Sequence, residues 1–344
     1  MLNQETISSQ LQSAWDRAVV EGKLINEFQA DKDDAQGQWV AGDRIAFGVR
    51  QKDGRNGYYA RNLTQNCEIE SEVEEREIDM PSRGDNFTCQ FNGYRALRPG
   101  GSQKPLGRQP DISPAAADCR FFCQDGDRAL SLLSRTPLLQ KAFSHFVWNA
   151  YYNAAPITPD GHFLWVPTQT QSALTHLPQV LNLSILEDAF ALFNQLSKSF
   201  LFFNSLHSGA SVNHIHFQSI TSDRLLPAET FPLTPVRSAD YSTPKDYPAY
   251  LMVFAPDVSP SRVFTYIERL QTQRIPFNLM MTPRFKILVP RNIDFEVVSE
   301  FPGNGLAGLG MCGRLIVIDR AAWMNADNTS IQNAFAKMSY CPSR

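Results

Sequence analysis

The sequence predicts an α+β fold in which antiparallel sheets pack against helices and one strand–helix–strand–strand unit occurs twice. The middle third of the chain shows the order strand, helix, strand, turn, strand, and the last third shows the same order more faintly. A chain of 344 residues has room for about two domain-sized units. We therefore expect an N-terminal β-rich region at residues 1–104, a first half at 105–230 and a second, degenerate half at 231–344.

The first copy of the unit begins with a buried strand at 162–167, which contains a closing proline. A helix follows, because Ser184 with a glutamate three residues later fits a capping box and apolar residues then recur at helical spacing. The remaining strands are expected at 200–206 and 213–220, with a turn of small residues at 208–211 between them.

The second copy repeats this order with a strand at 250–254, a helix at 259–273 and strands at 277–281 and 285–289. Where the first copy has a polar run, the second has Lys286 and aliphatic residues. The repeat lies in the pattern and not in residue identity. We therefore expect chemistry in the first copy alone.

The N-terminal region is expected to begin with a helix and to continue as short strands at 39–41, 45–49 and 58–60. The acidic stretch 68–79 is interpreted as a solvated face or a loop. Residues 98–117 are rich in Pro, Gly and Ala, which predicts a long loop or a boundary.

Composition excludes several classes of partner. The formal net charge of −3 provides no field that would attract nucleic acid or anionic lipid. No stretch approaches the roughly 20 apolar residues that a membrane span needs, and the N-terminus lacks the pattern of a signal peptide. The 6 cysteines are scattered through a large chain, which favours reduced thiols and a cytoplasmic location over a disulfide framework.

The segment 213–220 carries the residues with the strongest chemical signal. A strand projects alternate side chains to the same side, so His214, His216 and Gln218 are expected to share one face. The opposite face is apolar and is expected to consist of Ile215, Phe217 and Ile220. Two histidines and an amide on an otherwise apolar strand are costly unless each finds a partner, which indicates a site.

These residue types suit attack on a nucleotide. A neutral imidazole can attack the α-phosphorus of a nucleoside diphosphate compound and form a nucleotidyl-histidine. His214 is expected to orient the site through hydrogen bonds to the backbone, and the amide of Gln218 can donate to a phosphate oxygen without titrating. The alternatives are a pair of structural histidines or two ligands of a metal site.

Phosphate contacts are expected just upstream of the histidines. The turn at 208–211 offers hydroxyls and backbone amides of the kind that hold phosphate oxygens, with Gly209 and Ser211 as its candidates. Asn204 and Asn213 are expected to add polar contacts. His162 begins a buried strand beside the expected nucleotide pocket and is a further candidate for binding.

One family carries a similar arrangement. Asn204-Ser205-Leu206, Gly209-Ala210 and Asn213-His214-Ile215-His216-Phe217-Gln218 resemble the active-site segment of the GDP-hexose phosphorylases, in the galactose-1-phosphate uridylyltransferase branch of the histidine-triad (HIT) superfamily. Residues 153–179 and 275–290 also fit the pattern of that family, including Leu177-Pro178-Gln179. The resemblance runs from about residue 140 to 320.

The resemblance implies a HIT-like fold and a guanylyltransferase. In that family's reaction a GDP-hexose and inorganic phosphate give a hexose 1-phosphate and GDP through a covalent GMP-histidine. By this resemblance His216 is the nucleophile, Gln218 assists at the phosphates and Ser211 contacts phosphate. No metal or cofactor is required, and two copies of the chain can form a homodimer.

The sequence departs from its relatives at their structural zinc. Related uridylyltransferases often use a Cys-x-x-Cys pair, a downstream histidine and the first histidine of the motif. Here three residues separate Cys119 from Cys123, and the stretch after Pro167 has no histidine at the expected place. A partial site with His214 is one interpretation, but we expect free thiols and no metal.

Three rival functions remain open at this point. The first is a diadenosine-polyphosphate phosphorylase, or another nucleotide-sugar transferase, with the same covalent histidine. The second is a nucleotide-binding sensor without turnover. The third is a metal-binding protein that uses His214 and His216.

Overall fold

A computed structural model of the chain describes residues 6–20, 25–26, 45–52, 55–62, 71–80, 84–96, 137–153, 157–158, 161–168, 176–237, 239–303 and 305–341. Within these residues the fold is α+β and contains a six-stranded and a ten-stranded sheet with packed helices. The described helices include none that is long and apolar enough to cross a membrane.

The secondary structure follows the chain in three groups. The N-terminal elements are α1 (Ile7–Val20), β1 (Ile25–Asn26), β2 (Ile45–Lys52), β3 (Arg55–Asn62), β4 (Ser71–Ile78), β5 (Phe87–Asn92) and α2 (Gly93–Ala96). The first half contains β6 (Leu139–Ala142), β7 (Val147–Tyr152), β8 (His162–Thr168), α3 (Leu183–Phe193), β9 (Ser199–Asn204) and β10 (Phe217–Thr221). The second half contains β11 (Leu233–Pro235), β12 (Ser242–Pro244), β13 (Met252–Phe254), α4 (Pro260–Thr272), β14 (Phe277–Met281), β15 (Lys286–Pro290), α5 (Gly308–Met311), β16 (Arg314–Val317), α6 (Arg320–Asn325) and α7 (Asn328–Met338).

The two halves share one topology. The strand order of the ten-stranded sheet is β11-β12-β13-β15-β14-β9-β10-β8-β7-β6. From edge to centre the first half reads β7-β8-β10-β9 with α3 between β8 and β9, and the second reads β12-β13-β15-β14 with α4 between β13 and β14. The halves meet where β9 and β14 pair antiparallel. This topology confirms the duplicated α+β unit.

The copies differ most in the connection between their last two strands. In the first half β9 and β10 are joined by residues 205–216, here called the histidine loop. In the second half β14 and β15 are joined by residues 282–285, a tight turn in which the Thr282 amide donates to the Phe285 carbonyl at 2.9 Å. The polar run identified in the sequence therefore lies in a loop that the second copy lacks.

The ten-stranded sheet has a separate apolar core on each face. On one face α1, α3 and α4 pack over residues that include Trp165, Phe203 and Phe217. On the other face the six-stranded sheet and the C-terminal helices pack over residues that include Phe202 and Ile220. Burial of large apolar side chains on both faces fixes the register of the central strands, because a slip by one residue would exchange the faces.

The six-stranded sheet joins the two ends of the chain. Its order is β1-β2-β3-β4-β5-β16, and β16 pairs parallel with β5. Helix α6 reinforces the junction, since Trp323 Nε1 donates to the Cys89 carbonyl at 2.9 Å and Arg76 Nη2 donates to the Trp323 carbonyl at 2.7 Å. The N-terminal β-rich region is thus completed by a strand from the last part of the sequence.

Most of the expected elements are present, but the expected cap of helix α3 was wrong. Helix α3 is capped by Asn182, whose side chain accepts from the Ile185 amide at 2.9 Å, so Ser184 lies inside the helix and is not its cap. Residues 71–78 of the acidic stretch form strand β4, so this part is not a loop. Glu77 is exposed on it, as a solvated face requires, and Glu74 pairs with Arg320 at 2.7 Å. The stretches 39–41 and 98–117 lie outside the described residues.

Lys286 is a buried cation at the start of β15. Its side chain is only 2% exposed, and its ammonium lies 4.5 Å from the ring centre of Phe193 and 5.8 Å from that of Phe190. Both rings belong to the last turn of α3, where the helix dipole also favours a positive charge. Burial nevertheless lowers the pKa of Lys286 from 10.5 to about 8.

We predict that Lys286→Met raises the free energy of unfolding at pH 7 by about 1–2 kcal/mol, the desolvation cost less the aromatic contact. Between the folded pKa of about 8 and the unfolded value of 10.5, the unfolded state binds more protons than the folded state. The wild-type protein should therefore gain stability relative to the variant as pH rises through that window. Urea unfolding of both proteins at pH 7 and pH 10 measures this difference.

The exposed Lys245 provides the control, because Lys245→Met removes a solvated charge and should change stability by less than about 0.5 kcal/mol. A Lys286→Met variant that is less stable than wild type at pH 7 would mean that the aromatic and dipole contacts outweigh desolvation.

Candidate active site

The ring of His216 is fixed by its own backbone neighbourhood. His216 is 5% exposed, and its Nδ1 lies 2.7 Å from the carbonyl oxygen of His214. A carbonyl only accepts, so Nδ1 carries a proton, and in the neutral imidazole the lone pair is on Nε2. His214 therefore contacts the ring of His216 through its backbone carbonyl. The expected hydrogen bonds from the His214 side chain to the backbone stay a prediction.

Gln179 holds the backbone around that ring. Its Oε1 accepts from the His216 amide at 2.9 Å, and its Nε2 donates to the carbonyls of His216 at 3.3 Å and Asn204 at 2.8 Å. The side chain is 2% exposed, so these bonds are made away from solvent. One buried side-chain amide thereby connects the end of β9 to the end of the histidine loop.

The expected strand over 213–220 begins later than predicted. β10 starts at Phe217, so His214 and His216 precede the strand and do not share a strand face with Gln218. The reason is that their backbone bonds to the irregular segment around Gln179, with the Ile215 amide donating to the Leu177 carbonyl at 2.8 Å.

The apolar side of this run is only partly as expected. Ile215 and Phe217 are buried in the core beneath the helices. Ile220 was placed on that side too, which was wrong: it is buried in the opposite core, on the same side of β10 as Gln218. Alternation along the strand explains this, because the two residues are two positions apart.

The amide of Gln218 has a defined orientation. His162 Nδ1 accepts from the Ile157 amide at 3.3 Å, so the proton of this imidazole is on Nε2. That Nε2 donates to Gln218 Oε1 at 2.9 Å, and Asn153 Nδ2 donates to the same oxygen at 3.3 Å. The carbonyl end of Gln218 is thereby engaged, and its NH₂ end is the part that can donate to a ligand.

The His214 side chain is neutral and packs against a histidine that the sequence reasoning missed. The rings of His214 and His176 are 5.3 Å apart in an edge-to-face arrangement. Burial, with smaller contributions from the charges of His176 and His216, lowers the pKa of His214 to about 3. Burial also lowers the pKa of His176.

The described residues contain no group of three or more His, Cys, Asp or Glu side chains that could hold a metal ion. Cys119 and Cys123 lie outside them, so a zinc site that includes these cysteines stays untested. Within the described residues, the observed contact of His214 with His176 is the edge-to-face contact of their rings.

A group of polar side chains from the second half supports the histidine loop. Asn278 Nδ2 donates to Asn204 Oδ1 at 2.7 Å and to the Ser208 carbonyl at 2.6 Å, and Arg291 Nη1 donates to Asn278 Oδ1 at 2.8 Å. The Gly308 amide donates to Asn204 Oδ1 at 3.2 Å. Asn204, expected to contact nucleotide, thus has its carbonyl end bound within this group.

The other residues expected to contact phosphate lie on the histidine loop. Gly209 adopts φ +115° and its amide donates to Glu296 Oε1 at 3.1 Å. Asn213 Oδ1 accepts from the Gln179 amide at 3.1 Å, and Ser211 is half-buried between them. Asn204 thus ends β9, while Gly209, Ser211 and Asn213 lie on the loop that follows it. Their roles toward a ligand stay predictions.

Four residues of the site were missed: Gln179, His176, Asn278 and Arg291. Gln179 lay inside a motif that matched the resembling family, but nothing in the sequence gave it a partner. Asn278 and Arg291 stand at the two ends of the last hairpin of the second copy. Polar residues bordering apolar strands were the available signal.

These features define an α+β protein with a HIT-like fold, made of two related halves with a histidine loop in the first. Neither a protein-family model nor a curated protein sequence matches the chain. Among solved structures, yeast Ap4A phosphorylase Apa2 is similar, with a TM-score of 0.57 and 13% identity over 98% of both chains.

Two further structures of that enzyme give the same result. Its complex with AMP has a TM-score of 0.57 and 14% identity over 98% of this chain and 97% of the other. Its complex with Ap4A has a TM-score of 0.58 and 15% identity over 98% of both. The likeness establishes the fold, and it includes the N-terminal region in which the sequence alone offered little to match.

We predict that Gln179→Leu costs about 2–4 kcal/mol of stability, because it leaves one buried amide and two buried carbonyls without their partner. Amide hydrogen exchange of the peptide 205–216 should accelerate, since the variant frees both ends of the loop. Urea unfolding and exchange followed by mass spectrometry measure the two effects.

Gln271→Leu is the matched control, because that half-buried amide also bridges backbone groups, the N–H and carbonyl of Leu181, outside the site. Its expected cost is smaller, and exchange of 205–216 should stay as in wild type. Equal exchange of that peptide in both variants would show that Gln179 does not hold the loop.

Proposed function

We propose that this chain is a nucleotidyl-transferring phosphorylase that uses His216 as a covalent nucleophile. The observation that carries the proposal is the hydrogen bond from His216 Nδ1 to the His214 carbonyl at 2.7 Å. In the neutral imidazole this bond leaves the lone pair on Nε2, the tautomer that attack on phosphorus requires. The side chain of His214 is neutral and adds no positive charge beside His216.

The chemistry consists of two displacements. Nε2 of His216 attacks the α-phosphorus of the substrate, which forms a P–N bond and breaks the P–O bond to the β-phosphate. The leaving group is a phosphorylated compound that needs no strong acid, because a phosphate ester is a weak base. An oxygen of inorganic phosphate then attacks the same phosphorus, breaks the P–N bond and releases a nucleoside diphosphate.

Two groups are suited to stabilise the charge that develops on the α-phosphoryl oxygens. The NH₂ end of Gln218 can donate to one of them, because His162 and Asn153 occupy its carbonyl end. The histidine loop contributes the Ser211 hydroxyl and the Gly209 amide. Each of these donors is neutral, so each can act at any pH at which the imidazole is neutral.

We propose a dinucleoside polyphosphate as the substrate in preference to a GDP-hexose. What favours it is the full-length likeness to Ap4A phosphorylase structures, which covers the N-terminal region as well as the histidine loop. With diadenosine tetraphosphate the leaving group would be ATP and the second product ADP. A GDP-hexose, suggested by the resemblance at the histidine motif, remains the second candidate and would give a hexose 1-phosphate and GDP.

The adduct itself is the direct test. Incubation with diadenosine tetraphosphate without phosphate should raise the intact mass by one AMP unit, and addition of phosphate should remove it. His216→Asn should fold normally and form no adduct, with turnover reduced by at least about 10³-fold because the covalent route is lost. A wild-type protein that binds nucleotide but never forms an adduct would instead be a sensor.

A substrate panel decides between the two candidates. Diadenosine tetraphosphate, its guanosine counterpart, GDP-glucose, GDP-mannose and GDP-galactose are each supplied with phosphate, and release of nucleoside diphosphate is measured. Turnover confined to the GDP-sugars would overturn the dinucleoside polyphosphate proposal while leaving the His216 mechanism intact.

We also predict that His162→Phe lowers kcat by about 10- to 100-fold, because Gln218 loses the donor that sets its amide orientation. Gln218→Ala should cause a similar loss. The double variant should be no worse than either single variant, since both changes remove the same oriented amide. Losses that multiply would mean that the two residues act separately.

A further inference from the structure

Glu296 belongs to the second half and contacts the histidine loop. It follows a short 3-10 turn at Ile293–Phe295, and its side chain is 7% exposed. Its Oε1 accepts from the Gly209 amide at 3.1 Å. A buried carboxylate is therefore bound at one of the groups that the proposed function assigns to phosphate.

The backbone at Gly209 is restrained by packing as well as by Glu296. The residue has φ +115°, and a Cβ placed on it would lie 2.6 Å from the Cβ of Ala307. Close packing against Ala307 thus keeps this position a glycine. This restraint does not involve the Glu296 carboxylate, so it would persist with another acceptor at the amide.

The surroundings favour an anion at this point. Arg291 is fully buried, and burial lowers its pKa to about 10, while the charge of Glu296 acts in the opposite direction. Its Nη1 bonds Asn278 and its Nε donates to the Met338 carbonyl at 3.3 Å. The positive charge that now interacts with Glu296 would interact in the same sense with a phosphate group.

We propose that Glu296 is a resident anion, which takes the place of a non-bridging phosphate oxygen at the Gly209 amide and is displaced when the substrate binds. This inference rests on the proposed function. A carboxylate resembles a phosphate edge in bearing negative oxygens that accept from backbone amides. Substrate binding then exchanges one anion for another beside Arg291, and Glu296 lowers affinity by the cost of that exchange.

Glu296→Gln tests the exchange without breaking the loop. The amide oxygen of glutamine can still accept from Gly209, so only the charge is removed. Calorimetric titration with AMP and with GMP should give a dissociation constant about 3- to 10-fold lower than in wild type, because the competing like charge is gone. If Glu296 merely anchors the loop, the variant should bind as wild type does.

Glu300→Gln is the matched control in the same segment. Glu300 pairs with Lys337 on α7, so the variant removes an equal charge away from the loop, and its nucleotide affinity should be unchanged. Glu296→Asp keeps the charge beside Arg291 but is one methylene shorter, and its affinity should lie between those of wild type and Glu296→Gln. If Glu296→Gln does not fold, the aspartate variant decides.

The outcomes separate the two proposals. Nucleotide binding by the wild type together with equal or weaker binding by the Glu296 variants overturns the resident-anion proposal and leaves the histidine mechanism standing. Absence of both binding and adduct in the wild type overturns the proposed function and this inference with it. Tighter binding in Glu296→Gln and in Glu300→Gln alike would reduce the effect to net charge and would also overturn the inference.

Discussion

Strands β9 and β14 pair antiparallel at the centre of the ten-stranded sheet, and the polar architecture of the site follows from that pairing. Because the strands run in opposite directions, the end of β9 lies beside the beginning of β14, with Asn204 opposite Asn278. The end of β15 lies next to them and leads into Arg291. The second half thus supplies the floor of a loop that belongs to the first.

This arrangement explains why the two copies contribute different parts of the site. A loop as long as 205–216 must satisfy its buried backbone groups, and amides or guanidinium groups placed beneath it do so at low cost only when fully bonded. The tight 282–285 turn leaves the second half without a comparable loop. In that half Arg291 instead bonds to Asn278, which bonds to Asn204 and to the loop of the first half. The second copy therefore still contributes to the site.

The sequence predicted the parts of the fold that periodicity reports. Helix α4 and strand β14 were placed within a residue of their observed ends, and the duplication is present. What failed was local competition between equivalent groups. Asn182 and Ser184 can both cap a helix, and only the tertiary path of the chain selects the first.

The site was predictable as a cluster but not as a geometry. Alternation correctly indicated that Gln218 lies opposite Phe217, but it could not reveal that His216 is bonded to Gln179 instead of a neighbouring strand. That contact joins residues 37 positions apart through one side chain, and no local pattern encodes it. The same applies to Glu296, which meets Gly209 across 87 positions.

The parallel pairing of β5 with β16 has a consequence for the order in which the chain can fold. Strand β5 is synthesised early, while its partner β16 lies near the C-terminus, together with the Trp323 that bonds the Cys89 carbonyl. Until the ribosome has made that last segment, β5 presents an unpaired edge, the kind of surface that recruits other strands. Completion of the N-terminal sheet is consequently a long-range step, and a chain that lacks β16 should leave this edge of β5 open to aggregation.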